Sequence, residues 1–214
     1  MLRGPHDARN ASSHVNSIII SRSASILNCS FIDIMKLMIS QRQRTAENPL
    51  RVDDGYRRNC MNSPLVVPGL AALKDHLNAE IGVSDYVTVD QARINGFADL
   101  TEDWQWIHVD VERAKNQTPL GTTVAHGFLG LSLLSRFVNA VVEVRGAKSI
   151  VSAGLSSVRF ITPLAAGSRV RGRVRMRECA ESPGFVQVTW RVTAECEGVR
   201  HPCFTAEWAV RYYA

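Results

Sequence analysis

The 214-residue chain is 45% hydrophobic and 21% charged, which suits one globular domain with or without an appendage. No apolar run approaches the roughly 18 residues of a membrane-spanning helix, so no membrane partner is expected. The net charge of +5 invites a nucleic-acid reading, but residues 1–60 hold nine Lys/Arg against five Asp/Glu, while residues 61–214 hold sixteen against fifteen; the main body is nearly neutral, and no nucleic-acid partner is expected.

Residues 1–60 show no sustained period of either 2 or 3.6 and read as a poorly structured extension, with a short helix at most around residues 31–40. Three accounts compete: a start assigned too early, with Met61 as the true one; a transit peptide, since the first thirty residues hold three arginines and one acid; or a flexible extension. The early start is favoured because "MNSPLVVPGL" opens an uninterrupted globular pattern. The expected location is cytoplasmic, or mitochondrial if the segment is a transit peptide.

From residue 61 onward the pattern is that of one domain. "PGLAALKDHLNAEIG" predicts a helix, with Pro68 at its start and Gly82 at its end. "YVTVDQARINGFADLTED" predicts a second, opened by a capping box of Thr88 and Gln91, with Ala92, Ile94, Phe97 and Ala98 on one side. It runs into "DWQWIHVD", where Asp103 and His108 stand five positions apart with two of the four tryptophans between them. On a helix these side chains would lie roughly 140° apart and on a strand on opposite faces, so an intervening turn must bring them together. Asp103 also reads as a helix cap or a solvated carboxylate, and His108 as a packed polar residue. As a turn at a pocket mouth, the segment would offer Trp104 or Trp106 as an apolar wall.

"AHGFLGLSLLSRFVNAVVEV" predicts a helix that is apolar almost all round and therefore enclosed by protein. Gly127 at its start permits close approach to backbone N–H groups, a site for a carbonyl oxygen that gains negative charge; the same glycine could merely let the helix pack tightly. His126 reads as a structural residue hydrogen-bonded near the helix terminus. His76 and His201 receive no role.

The last third reads as strands. After "SSVRFITPL", three segments alternate with period 2: Val170, Gly172, Val174 and Met176; Val186, Val188, Trp190, Val192 and Ala194; Phe204, Ala206, Trp208, Val210 and Tyr212. The opposite face of the first carries Arg169, Arg171, Arg173, Arg175 and Arg177, read as solvated or, if functional, as attracting the phosphates of coenzyme A. One buried helix followed by an antiparallel meander is an α+β layout, the sheet wrapped around one long central helix. Five cysteines without a CxxC pair suggest a reducing compartment; Cys196 and Cys203, flanking a turn, are expected to be buried free thiols.

Together, "FADLTEDWQWIHVDVERA" and "VAHGFLGLSLLS", followed by "GLSSVRFITPL" and "GSRVRGR", resemble the MaoC-like dehydratase family, the (R)-specific enoyl-CoA hydratases of hot-dog fold. The "WQWIHVD" form is similar to the nodulation protein N-like branch. The resemblance covers residues 65–214 and implies catalytic roles for Asp103 and His108, an oxyanion-binding amide at Gly127, and a helix serine at Ser135. It further implies a homodimer acting on a 2-enoyl thioester of coenzyme A. The common family form, T-G-D-x-N-P-x-H, is "TEDWQWIH" here, with Glu102, Gln105 and Trp106 in place of glycine, asparagine and proline; Gln105 and Trp106 become candidate substrate-binding residues. The hydration needs a base for water, an acid for C2 and a stabilised enolate oxygen, tasks that Asp103, His108 and Gly127 can share with no metal or redox cofactor. The expected activity is an enoyl-CoA hydratase, with thioester hydrolysis or acyl-thioester binding without turnover as the alternatives.

Overall fold

The longest strand of the domain is also its most regular in sequence. A computed structural model describes residues 63–214; the extension at residues 1–60, its expected short helix and Met61 lie outside them. In chain order the elements are β1 (Leu65–Val67), a 3-10 helix (Leu70–His76), β2 (Glu80–Val83), β3 (Val87–Val89), α1 (Gln91–Thr101), α2 (Trp106–Val109) and α3 (Val111–Gln117). They are followed by α4 (Gly127–Ser132), α5 (Leu134–Val141), β4 (Val142–Val144), β5 (Ser149–Phe160), β6 (Ser168–Ser182), β7 (Phe185–Cys196) and β8 (Phe204–Tyr213).

Alternation makes the sheet. Val170, Gly172, Val174 and Met176 of β6 are buried, as are the inward residues of β7 from Val186 to Ala194, and Phe204, Ala206, Val210 and Tyr212 of β8. Trp208 is half-buried. The strands run in the order β2-β6-β7-β8-β5, with β3 also paired to β6; all these pairings are antiparallel. β1 and β4 form a separate parallel pair. Within the core, Trp190 Nε1 donates to the Tyr212 hydroxyl at 3.1 Å, which satisfies the buried indole.

The sheet curls around α5, which buries Leu134, Phe137, Val138 and Val141. Closest approach is at Gly172, where a Cβ would lie 2.5 Å from both Cβ and Cγ of Phe137; only glycine lets the helix come this near. The hot-dog arrangement expected from sequence is thus present, but the expected single long helix is two segments. Leu133 N–H turns back to the Gly130 carbonyl at 3.1 Å, a tighter turn between α4 and α5.

Three further expectations are corrected. The helix expected over residues 68–82 is only the 3-10 turn at Leu70–His76, and Gly82 lies inside β2 instead of closing a helix. Pairing with β6 captures residues 80–83, and Gly82 fits because a Cβ there would already be 3.3 Å from Val141. The cap of α1 is Asp90, whose Oδ1 accepts from Arg93 N–H at 2.9 Å, while Thr88 belongs to β3; pairing of Thr88 with Arg169 fixes it in the sheet, two residues before the cap. Cys196 and Cys203 are joined as a disulfide, not free thiols. The β7–β8 register pairs Ala194 with Phe204 and brings the two cysteines face to face across the turn.

The arginine face of β6 is an ion-pair ladder. Arg169 pairs with Glu197, Arg171 and Arg173 with Glu195, and Arg173 with Glu80. Burial pushes the Glu195 carboxyl up, but hydrogen bonds from Arg173 and Arg171 outweigh it and hold the group below its ordinary value. Arg175 donates to the Asn78 carbonyl at 3.0 Å. Among the described residues no helix is long and apolar enough to cross a membrane.

Candidate active site

The two motifs of the sequence meet because an irregular strap, residues 123–126, is pinned on both sides. Ala125 N–H donates to the Leu164 carbonyl at 2.7 Å, and Ala166 N–H to the Thr123 carbonyl at 2.9 Å, tying the strap to the segment before β6. Val124 N–H donates to the Ile107 carbonyl at 3.0 Å, tying it to α2.

Asp103 enters through a left-handed residue. α1 ends at Glu102, whose φ of 57° is the αL conformation, and Asp103 N–H closes back on the Ala98 carbonyl at 3.2 Å. This is the position at which the common family form has glycine, the residue that adopts αL without steric cost. The chain then turns into α2, a single helical turn starting after Gln105, so the intervening turn needed to bring Asp103 and His108 together is present. Asp103 is exposed and His108 buried.

His108 is held from three directions. Its Nδ1 lies 2.6 Å from the Val124 carbonyl oxygen, an acceptor that requires a proton on Nδ1; in the neutral imidazole the lone pair is then on Nε2. The His108 carbonyl accepts from Gln91 Nε2 at 2.7 Å, and Gln91 Oε1 in turn accepts from the buried Thr123 hydroxyl at 2.5 Å. The ring stacks on His126 with centroids 3.8 Å apart. Gln91, in sequence only half of an expected capping box, and Thr123 are therefore parts of the site that sequence reading missed; no local pattern gives either one a place in the site.

His126, in sequence a structural residue, lies in the centre of the cluster. Its Nε2 donates to the Asp103 carbonyl at 2.9 Å and lies 3.8 Å from Asp103 Oδ2. Asp103, His108 and His126 each bring a potential ligand atom within 4.8 Å of the others. His126 Nε2 is already committed to the Asp103 carbonyl, so that nitrogen has no lone pair to offer a metal ion.

Gly127 follows at once as the first residue of α4, whose leading turn has no side-chain cap. A Cβ there would lie 2.8 Å from Cε1 and 2.9 Å from Cζ of Phe160, so the ring at the end of β5 rests directly against the glycine. Ser135 lies apart from the Asp–His cluster, on an apolar groove of about 490 Å³ bounded by Phe97, Phe128, Leu131, Leu155 and Trp208. Phe97 links groove and cluster, with its ring centroid 5.1 Å from that of His126. Gln105 is exposed; its N–H faces Asp103 Oδ1 at 3.4 Å. Trp106 is half-buried beneath the Arg113 guanidinium, 4.2 Å from the ring centroid. Trp104 is exposed and donates to Asp99. Neither tryptophan lines the groove.

Residues 74–197, which contain every one of these side chains except Trp208, match the MaoC-like domain model, more than half of the chain. This chain belongs to the MaoC-like family. Within it, nodulation protein N of Rhizobium leguminosarum bv. viciae is 43% identical over 141 residues, 65% of this chain and 88% of that protein. The 3-hydroxyacyl-thioester dehydratase Z of Mycobacterium tuberculosis is 46% identical over 136 residues, 63% of this chain and 89% of that protein. The crystal structure of a MaoC-like dehydratase from Rhodospirillum rubrum superposes with a TM-score of 0.55 at 20% identity, over 66% of this chain and 95% of that one, a likeness of fold. A MaoC-like domain thus accounts for the hot-dog sheet of this chain.

Proposed function

We propose that this MaoC-like chain is a hydro-lyase that adds water to the double bond of a trans-2-enoyl-CoA to give an (R)-3-hydroxyacyl-CoA, and catalyses the reverse. The observation that carries the reading is the His108 imidazole, held through Nδ1 by the Val124 carbonyl and with a ring nitrogen within 4.8 Å of an Asp103 carboxylate oxygen. A water molecule between these groups gives up a proton to one of them as its oxygen bonds to C3. The electron pair of the double bond moves onto the thioester oxygen, which accepts the Gly127 N–H. Collapse of the enolate then takes a proton at C2 from the pair, so one water is added and both groups return to their starting states.

Each positioned acid or base contributes roughly 10² to 10⁴ in rate, and an oxyanion donor about 2.7–4 kcal/mol. Ser135 and its groove are the proposed acyl-chain contacts, and Gln105 and Trp106 further substrate contacts at the mouth. A homodimer fits the exposed edge strand β5, where Ile150, Leu155 and Phe160 are about half exposed. The relative that is a 3-hydroxyacyl-thioester dehydratase supports the reaction class.

The test is hydration of crotonyl-CoA and longer enoyl-CoA esters, followed by loss of the enoyl absorbance, with (R)- and (S)-3-hydroxybutyryl-CoA compared in reverse. Asp103→Asn and His108→Ala should each remove the activity while the melting transition survives. Release of free thiol would instead identify a thioesterase, and tight acyl-CoA binding with no product a binding module. No turnover by the wild-type protein at any chain length overturns the proposal.

A further inference from the structure

We infer that His126 is a positioning residue that holds Asp103 and His108 at their working separation, an inference that rests on the hydratase reading above. His126 is buried, is 23 residues from Asp103 in sequence, and touches both members of the pair through different parts of its ring. The edge, through Nε2, donates to the Asp103 carbonyl at 2.9 Å and so anchors the backbone of the residue that follows the left-handed Glu102. The face stacks on His108 at 3.8 Å with 25° between the planes, and so limits rotation of the His108 ring about its bond to Val124. Phe97 packs on the imidazole, and Gly127 follows in the chain, so one side chain ties base, acid and oxyanion amide together.

The requirement for histidine follows from this division of labour. A phenyl ring would keep the stack and lose the donor; an amide would keep a donor and lose the stack. Donation from Nε2 leaves Nδ1 unprotonated, and Nδ1 is the one buried side-chain nitrogen or oxygen among the described residues without a partner. A buried polar atom left without a bond costs stability, and a purely structural position would be filled more stably by an apolar ring. Retention of the imidazole here is accounted for by what its other nitrogen and its face do.

The experiment compares His126→Phe and His126→Gln with wild type, measuring kcat and KM for enoyl-CoA separately. Displacement of a reacting group by about 1 Å can cost about 10² in rate; His126→Phe should therefore lower kcat about 10²-fold with KM changed less than about threefold. His126→Gln, which keeps a donor and loses the stack on His108, should lower kcat as well. Wild-type kcat in either variant overturns the inference. Nitrogen-15 spectra of histidine-labelled wild type supply a readout independent of turnover and of variant folding: His126 must carry its proton on Nε2 and His108 on Nδ1, and the opposite tautomer of His126 overturns the inference. If wild type hydrates no enoyl-CoA while the tautomers are as stated, it is the hydratase reading that fails.

Discussion

Substitution of Gly127 by alanine separates the proposed oxyanion role of this glycine from its packing role. The added Cβ would lie 2.8 Å and 2.9 Å from two atoms of the Phe160 ring, closer than side chains tolerate, so the ring or the backbone must move. Phe160 is 55% exposed, and its ring can swing into solvent at the cost of its tilted contact with Phe204, 6.4 Å away. An aromatic pair of this kind is worth about 0.5–1.5 kcal/mol, and alanine regains up to about 1 kcal/mol of helix propensity over glycine. The net change in stability is expected to stay within about 1 kcal/mol, measured as the urea midpoint at unchanged m. Loss of access to the Gly127 N–H should lower kcat by about 10² to 10³, as removal of an oxyanion donor does. Crotonyl-CoA hydration measures the rate, and retention of wild-type kcat would refute the oxyanion role. The double variant Gly127→Ala/Phe160→Ala removes the clash; if it regains activity, the loss belongs to the displaced ring and not to the amide.

Other outcomes follow from the same geometry. Glu102→Gly relieves a left-handed residue at φ 57° and should stabilise the fold by about 0.5–1 kcal/mol, since the relief exceeds the added entropy of the unfolded chain; an unchanged urea midpoint would count against strain there. Gly172→Ala forces a Cβ to 2.5 Å from Phe137 at the closest helix–sheet contact and should destabilise by about 1–3 kcal/mol or more, read in the same way. Burial pushes the Tyr212 hydroxyl up to about 12 from 10.0, so the folded state holds its proton where the unfolded state has lost it. Its contribution is complete below pH 10 and is lost between pH 10 and about 12; in Tyr212→Phe the unfolding free energy should lose this alkaline slope. Gln91→Leu removes the donor to the His108 carbonyl and the acceptor of Thr123, and should lower kcat more than it raises KM.

The sheet was readable because its burial has period 2: Val170 to Met176, Val186 to Ala194 and Phe204 to Tyr212 each declare an inner face without knowledge of their neighbours. Elements whose form depends on distant pairing were not. Residues 68–82 satisfy helix punctuation, yet β6 draws Glu80–Val83 into the sheet, and Thr88 loses the cap to Asp90 for the same reason. Cys196 and Cys203 flank a turn in the sequence, but it is the β7–β8 register that brings them opposite one another. In the site, Asp103 and His108 stood out as titratable groups in one short motif, and Gly127 as a helix start. Gln91, Thr123 and His126 act through contacts spanning 17 to 32 residues, which no local pattern encodes.

The mounting of the site on an irregular strap also bears on when it forms and how often it opens. β6, β7 and β8 are consecutive hairpins, so their pairing closes short loops and can come early in folding. The strap waits for partners 39 and 43 residues further on, in the Ala125–Leu164 and Thr123–Ala166 bonds, and is held by few of them. Amides of the strap, such as those of Val124 and Ala125, should therefore exchange with solvent deuterium through local openings of low free energy, while those of β7 exchange only when the whole domain unfolds. Conditions too mild to melt the sheet would then abolish turnover by releasing His108 from Val124, and inactivation would precede denaturation.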